Sequence, residues 1–318
     1  MVKRMNNKKG LYLQVLLIGI FWGTSFVAIK IALNYISPYD YLSVRWTIAA
    51  FLALALVARG TLKVNYKGKP TKHLVVLSII QPGLYSLVES LGIEKTTASE
   101  ASIMLALVPI MTAFIVAIIL RERVKIGTIS AAMICFLGVI LTVAFEPSFQ
   151  IKGDITGYAY LFLCVILAGT FTVLSNKLAA SYTATEVVVA MTISGAICFN
   201  TLSLMRGSLI DGYVGVFSDW RPLVALVYLA VFCSIICFIM YNRVNGRLNP
   251  AQTSLFISNS VTIIGVISGV LIVGDSMSIY KAVGVMLIVF GIIKHGIEDI
   301  KEEKRLEQEK FIQEKTKV

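Results

Sequence analysis

The sequence predicts an all-α integral membrane protein, with ten transmembrane helices arranged as two inverted five-helix repeats. Three observations carry this expectation. Hydrophobic residues make up 57% of the 318-residue chain, charged residues only 15%, and the mean hydropathy is +0.81. A soluble domain carries about 25% charged residues, so this chain lacks the polar surface to cover itself in water, and a bilayer is the solvent that fits. Second, ten apolar runs are long enough to span: 11–33, 41–58, 73–93, 98–119, 127–145, 155–175, 186–204, 222–242, 250–273 and 281–296. A helix needs about 20 residues to cross about 30 Å of hydrocarbon. Third, the layout from Thr96 to Gly138 returns 153 residues later: Asn249-Pro250 stands for Thr96-Thr97, Asp275 for Glu122, Met286 for Met133 and Gly291 for Gly138. One offset across two helices and a turn points to one unit written twice.

The first run follows Lys3, Arg4, Lys8 and Lys9, as a signal peptide would. It stays apolar to Leu33 without a small-residue cleavage site, so it reads as a retained helix. Gly19-x3-Gly23 within it allows close helix contact, as does Gly265-x3-Gly269 in the ninth run. The third and fourth runs hold Pro82-Gly83 and Pro109. Proline removes a backbone hydrogen bond, so each is a bend at a cavity or a fixed packing kink. Thr97-Ala98-Ser99-Glu100 fits a capping box opening the fourth helix. Gly23-Thr24 aligns with Gly169-Thr170, an offset of 146 that becomes 153 by the eighth helix, placing extra residues in the loop near Arg206 to Arg221.

Lysine and arginine give the orientation. With the N-terminus inside, the inner segments hold the basic clusters around Lys3–Lys9, Arg59–Lys72, Arg121–Lys125 and Arg243–Arg247, and the outer ones only Lys95, Lys152, Arg206, Arg221 and Lys281. The tail from Lys294 adds further positive charge inside. Both termini are therefore expected in the cytoplasm. Five spans per repeat is odd, so the second copy enters the membrane upside down, the inverted-repeat plan of many secondary transporters. The expected units are residues 1–145, residues 146–296 and a solvated tail, 297–318.

Several functions are excluded. The net charge of +11 sits between apolar runs rather than on an aromatic-laced stripe, so nucleic acid is not expected as a partner. Cys135, Cys164, Cys198, Cys233 and Cys237 all fall inside apolar runs and read as small hydrophobes. His73 and His295 lie at helix ends, so no metal site is expected. There is no HExxH, GxSxG or P-loop, which argues against an enzyme, against direct ATP drive and against a cofactor.

Lys30 and Arg45 are the basic residues left within the apolar runs, and Glu89, Glu100 and Glu186 are the acids there or at their starts. A charge at helix centre costs about 2.5–3.5 kcal/mol on insertion scales and normally faces a partner or water. Arg45 and Glu89 each lie about four residues, or ~6 Å, from the outer end of their helices. Glu89 is therefore expected to pair with Arg45 or Lys30 at the outer mouth of a cavity, as a static bridge, a proton-coupling group or a substrate-amine site. Arg45 is a candidate for a substrate carboxylate or an interface anchor, and Lys30 reads as snorkelling. Trp22, Tyr85 and Tyr241 are candidate cavity walls or packing residues. Thr24 and Ser25 offer hydroxyls to substrate or to their own helix. Asn242 and Asn259 are amides for substrate or interhelical bonds. The repeat counterparts of Lys30, Arg45 and Glu89 are Asn176, Met191 and Asn242, so charge marks one gate and neutral groups the other.

In order and spacing, these motifs resemble the EamA family of the drug/metabolite transporter superfamily. The resemblance rests on Trp22-Gly23-Thr24-Ser25-Phe26, Arg45, Tyr85 with Gly92, Ala98 to Pro109, Glu122 and Gly138, then Asn249-Pro250-Ala251, Gly274-Asp275 and Gly284 to Gly291. It covers nearly all of the chain but the tail. It implies ten helices, a central cavity between two halves and secondary transport of small metabolites, often amino-acid export across the plasma membrane. Family members often have Pro in helix nine near Thr262 and Glu at Asp275, where this chain departs. Gly284-x6-Gly291, with Ala131-x6-Gly138 as counterpart, is similar to the small-residue heptad of the small multidrug resistance proteins and implies that helices five and ten pack as a pair. Export of cationic or aromatic drugs and a receptor or scaffold role are the alternatives. Proton coupling and a homodimer stay open.

Overall fold

A computed structural model describes residues 2–120, 126–144, 151–248, 250–291, 293–294 and 297. The turn carrying Glu122, Asn249 and the tail beyond residue 297 lie outside the described residues. Among the described residues all regular structure is helical. The helices are α1 (Val2–Leu33), α2 (Pro38–Ala58), α3 (Lys72–Lys95), α4 (Ala98–Ile119), α5 (Ile126–Ala144), α6 (Ile151–Leu178), α7 (Ala184–Met205), α8 (Trp220–Asn245), α9 (Pro250–Ser268) and α10 (Ile279–Gly291). A short helix, Leu209–Gly215, lies between α7 and α8.

Among the described residues, eight helices are long and apolar enough to cross a membrane: α1 to α4 and α6 to α9. The described apolar stretches of α5 and α10, Met133–Thr142 and Ile279–Gly291, are shorter than a span. Both faces of the bundle fit lipid as solvent. Large apolar side chains such as Phe51, Ile118, Ile197 and Leu271 point outward, while serines and threonines lie buried between helices. With no water in hydrocarbon, these hydroxyls bond to carbonyls inside the protein, as Ser90 does to Ser86 and Thr112 to Val108.

The packing has a two-fold pattern. α1 lies along α9 and α8, as α6 lies along α4 and α3; α2 packs on α7. Gly23 brings α1 against α9, since a Cβ there would stand 2.7 Å from Ile264. α5 and α10 pack as the resemblance of their small-residue heptad implies: a Cβ on Gly138 would lie 2.7 Å from the Gly284 carbonyl, and the Cys135 thiol donates to Ile288 O at 3.5 Å. All five thiols are free.

The helix starts follow local chemistry. Thr97 and Glu100 form the capping box that the sequence predicts, and Thr183 and Glu186 form another at α7. At α2, Ser37 caps the amide of Asp40, the residue 146 before Glu186. Each acid then ties its end of the bundle together. Asp40 accepts from Ser203 and from Ser208. Glu186 accepts from Lys69 at 2.7 Å and from the Asn65 amide at 2.9 Å, fixing the α2–α3 loop on α7.

α3 and α8 are both interrupted by wide π-type turns, Ile79–Leu84 and Leu229–Ile236. In α3 the cause is legible: Pro82 has no N–H, and the residue before proline is driven from helical to extended backbone. Gln81 accordingly sits at φ −138°, ψ 115°.

Candidate functional site

The interrupted helices border a cavity of about 110 Å³. Its lining comes from α1, α2, α3, α4, α6, α8 and α9. The repeat recurs in that lining. Trp22, Ser25 and Phe26 on α1 have counterparts 146 residues on, Ala168, Phe171 and Thr172 on α6, and all six border the space. Tyr85, Leu105 and Val108 have counterparts 153 residues on, Phe238, Ser258 and Val261, and these border it too. The two halves thus turn the same helical faces inward.

One wall is aromatic. Trp22 meets Phe238 edge-on at 5.1 Å and Tyr241 at 5.2 Å, and Phe171 stacks on Tyr241 at 5.6 Å. The polar ends of these rings are held. Trp22 Nε1 donates to Cys233 O at 3.2 Å, and the Tyr241 and Thr172 hydroxyls share a 2.6 Å hydrogen bond. Only ring faces and edges remain for a guest.

Two opposite charges face the space. Arg45 is buried, donating from Nε to Ser234 Oγ at 3.0 Å and from Nη1 to Tyr41 OH at 2.6 Å, with Trp46 under the guanidinium at 5.4 Å. Glu89 is also buried and accepts from the Tyr85 hydroxyl at 2.8 Å. The expected Glu89 pairing with Arg45 or Lys30 is not found: no direct ion pair joins Glu89 to either. Equal depth put Arg45 and Glu89 at one level, and each feels the other's charge, but their hydrogen bonds go to hydroxyls. The Lys30 ammonium donates to the carbonyls of Ile93, Glu94 and Thr96 at 2.9, 3.1 and 2.7 Å, closing the end of α3.

Of the residues singled out from sequence, Trp22, Arg45, Tyr85, Glu89 and Tyr241 border the cavity, with Ser25. Thr24 does not. It bonds back to Ile20 O at 2.8 Å and shares a 2.6 Å hydrogen bond with Tyr228 OH, which turns it to α8. Asn242 does not either; its amide donates to Phe238 O of its own helix at 2.8 Å. The side chain of Asn259 lies outside the described residues. The structure adds Gln81, Phe171, Thr172, Phe238, Ser254 and Ser258. Phe171 and Thr172 were within reach of the 146-residue offset as counterparts of Ser25 and Phe26. Gln81 carried no signal beyond its place beside Pro82.

Comparison with known proteins decides the family. The profile of the EamA-like transporter family matches residues 9–144 and again residues 155–294. The chain belongs to this family. It is a multi-pass membrane transporter with the two-repeat architecture of EamA proteins. It is 27% identical to the uncharacterized transporter YcxC of Bacillus subtilis over 92% of this chain and 95% of that protein. It is 24% identical to an uncharacterized transporter of Archaeoglobus fulgidus over 86% of this chain and 93% of that protein. A protein of Salmonella typhimurium named as a probable amino-acid metabolite efflux pump is 22% identical over 91% of this chain and 94% of that protein. A solved crystal structure at 17% identity superposes with a TM-score of 0.68 over 93% of this chain and 99% of its own, a likeness of fold.

Proposed function

We propose that this EamA transporter exports small zwitterionic metabolites, amino acids first among them, across the plasma membrane. The observation that carries the reading is the charge pattern of the cavity. A buried cation, Arg45, and a buried anion, Glu89, border one space without a direct bond between them. Charges at membrane depth are costly, and a guest bearing a carboxylate and an ammonium offsets both at once. Arg45 receives the carboxylate through the planar fork suited to it, and Glu89 receives the ammonium. The name of the Salmonella relative supports the same class.

In this reading the units 1–145 and 146–296 are oppositely oriented five-helix halves, α5 and α10 complete a set of ten spans, and both termini and the tail 297–318 face the cytoplasm. The bias of lysine and arginine supports that orientation. Movement of the halves about the fixed cavity exposes it to each side in turn, and protonation of Glu89 in the empty carrier couples export to the proton gradient.

The test is counterflow of labelled amino acids in proteoliposomes. The wild-type protein should show saturable exchange, with Arg45→Gln and Glu89→Gln each lowering it at least about tenfold. Exchange indifferent to both substitutions refutes the reading. The aromatic wall favours a second reading, export of aromatic cations. In that case Glu89→Gln abolishes transport while Arg45→Gln leaves it intact.

A further inference from the structure

We propose that Gln81 is a specificity-determining residue that reads the far end of the substrate, selecting amino acids whose side chains finish in an N–H or O–H donor. The inference rests on the amino-acid reading above and adds to it the side-chain class.

Gln81 borders the same cavity as Arg45 and Glu89 and is itself only 5% exposed. Its amide oxygen is buried and has no hydrogen-bond partner. A buried acceptor without a donor is costly in any apolar medium, and proteins keep such groups where something else completes them. Here the residue borders an empty space, and a half-turn of its amide presents the oxygen to a guest that supplies the donor.

Position says which part of the guest does so. Gln81, Tyr85 and Glu89 follow one another at intervals of four along α3, and all three border the cavity. The helical turn from Tyr85 to Glu89 rises about 6 Å, and Gln81 lies beyond it across the π-type interruption. A zwitterionic head held by Arg45 and Glu89 therefore lies well away from Gln81. Between them runs the ring of Tyr85, with Trp22 and Phe238 on the facing helices. A side chain directed along this wall meets apolar surface first and an unfilled acceptor last. The backbone break at Gln81 serves this arrangement. Its extended φ and ψ remove it from the regular helical path, so its side chain is placed by the turn before Pro82 rather than by the rotation of α3.

Two matched pairs of competitors test the proposal in the counterflow assay: tyrosine against phenylalanine, and glutamine against methionine. Wild-type protein should favour the donor-bearing member of any pair it carries by about tenfold, since a site with an unfilled polar group discriminates against the analogue that leaves it unfilled. Gln81→Leu should bring that ratio to about one while still carrying the apolar member. Gln81→Glu, nearly isosteric, guards against misfolding as an explanation and should raise competition by lysine about tenfold over wild type. A ratio near one in wild type, a ratio unchanged in Gln81→Leu, or carriage of glycine and alanine with neither pair overturns the role of Gln81 and leaves the amino-acid reading standing. If no amino acid competes in the wild-type protein, both fall.

Discussion

Lys30 and Asn176 hold corresponding places 146 residues apart, and each ties off the end of a helix. The Lys30 ammonium donates to three carbonyls where α3 ends, Ile93, Glu94 and Thr96. The Asn176 amide donates to the carbonyls of Asn245 and Leu248 where α8 ends, the latter at 3.0 Å. The final carbonyls of a helix have no partners within it, so both repeats meet the same need at the same place. One uses a charge and the other does not.

That difference has a measurable size. Hydrogen bonds from a charged donor contribute about 1.5–3 kcal/mol and neutral ones about 0.5–1.5. Lys30→Met should lower unfolding stability in detergent by about 2 kcal/mol and Asn176→Leu by about 1. A larger loss in the Asn176 variant would contradict the ranking.

Tyr85 is both wall and hydrogen-bond donor. Tyr85→Phe keeps the ring and removes the 2.8 Å bond to Glu89. A charged acceptor that loses a donor is affected by about 1–3 kcal/mol. Apparent affinity for a carried amino acid should change about tenfold while the thermal midpoint moves by only a few degrees. Equal affinities in the two proteins would mean that the hydroxyl does not set the carboxylate.

The α5–α10 contact should be separable from the cavity. A Cβ at Gly284 would stand 2.6 Å from the Gly138 carbonyl and press on Thr142 Oγ1. Overpacking of this kind costs about 1–3 kcal/mol. Gly284→Val should therefore lose stability yet keep the substrate affinity of the folded fraction, because among the described residues neither helix contributes to the cavity lining. Weaker binding per folded molecule would join the pair to the transport path.

Lys69 and Glu186 form an ion pair whose two halves are unequal. The Lys69 side chain is 27% exposed, and such pairs contribute about 0–1 kcal/mol. Glu186 also accepts from the amides of Thr183 and Asn65, both at 2.9 Å. Loss of a helix cap alone costs about 0.5–2 kcal/mol. Glu186→Ala should thus cost about 2 kcal/mol and Lys69→Ala under about 1, read from denaturant unfolding of the two variants.

Residues and structure agree where one physical signal was enough. Apolar length located the helices, and Thr97 with Glu100 marked a start that does form a capping box. The pairing of α5 with α10 came from the resemblance of the glycine heptad to that of the small multidrug resistance proteins. Agreement stopped where rotation mattered. Counting residues from a helix end placed Arg45 and Glu89 at one depth, but depth does not say which neighbour a side chain turns to. Tyr41, Ser234 and Tyr85 took the positions assigned to opposite charges. The same gap explains Thr24, one step from the cavity-facing Ser25 but turned toward Tyr228. Gln81 was hidden for another reason. Its exposure to the cavity follows from an irregular turn, and helical periodicity has no term for a residue that leaves the helix.

A guanidinium fastened on two sides, by Tyr41 and by Ser234, and resting on an indole has nowhere to swing. It cannot reach out to fetch an anion from water as a lysine on a free stem could. Any solute that meets Arg45 must shed its own hydration and complete the journey inward, so selection by this protein is settled at the destination and not at the door.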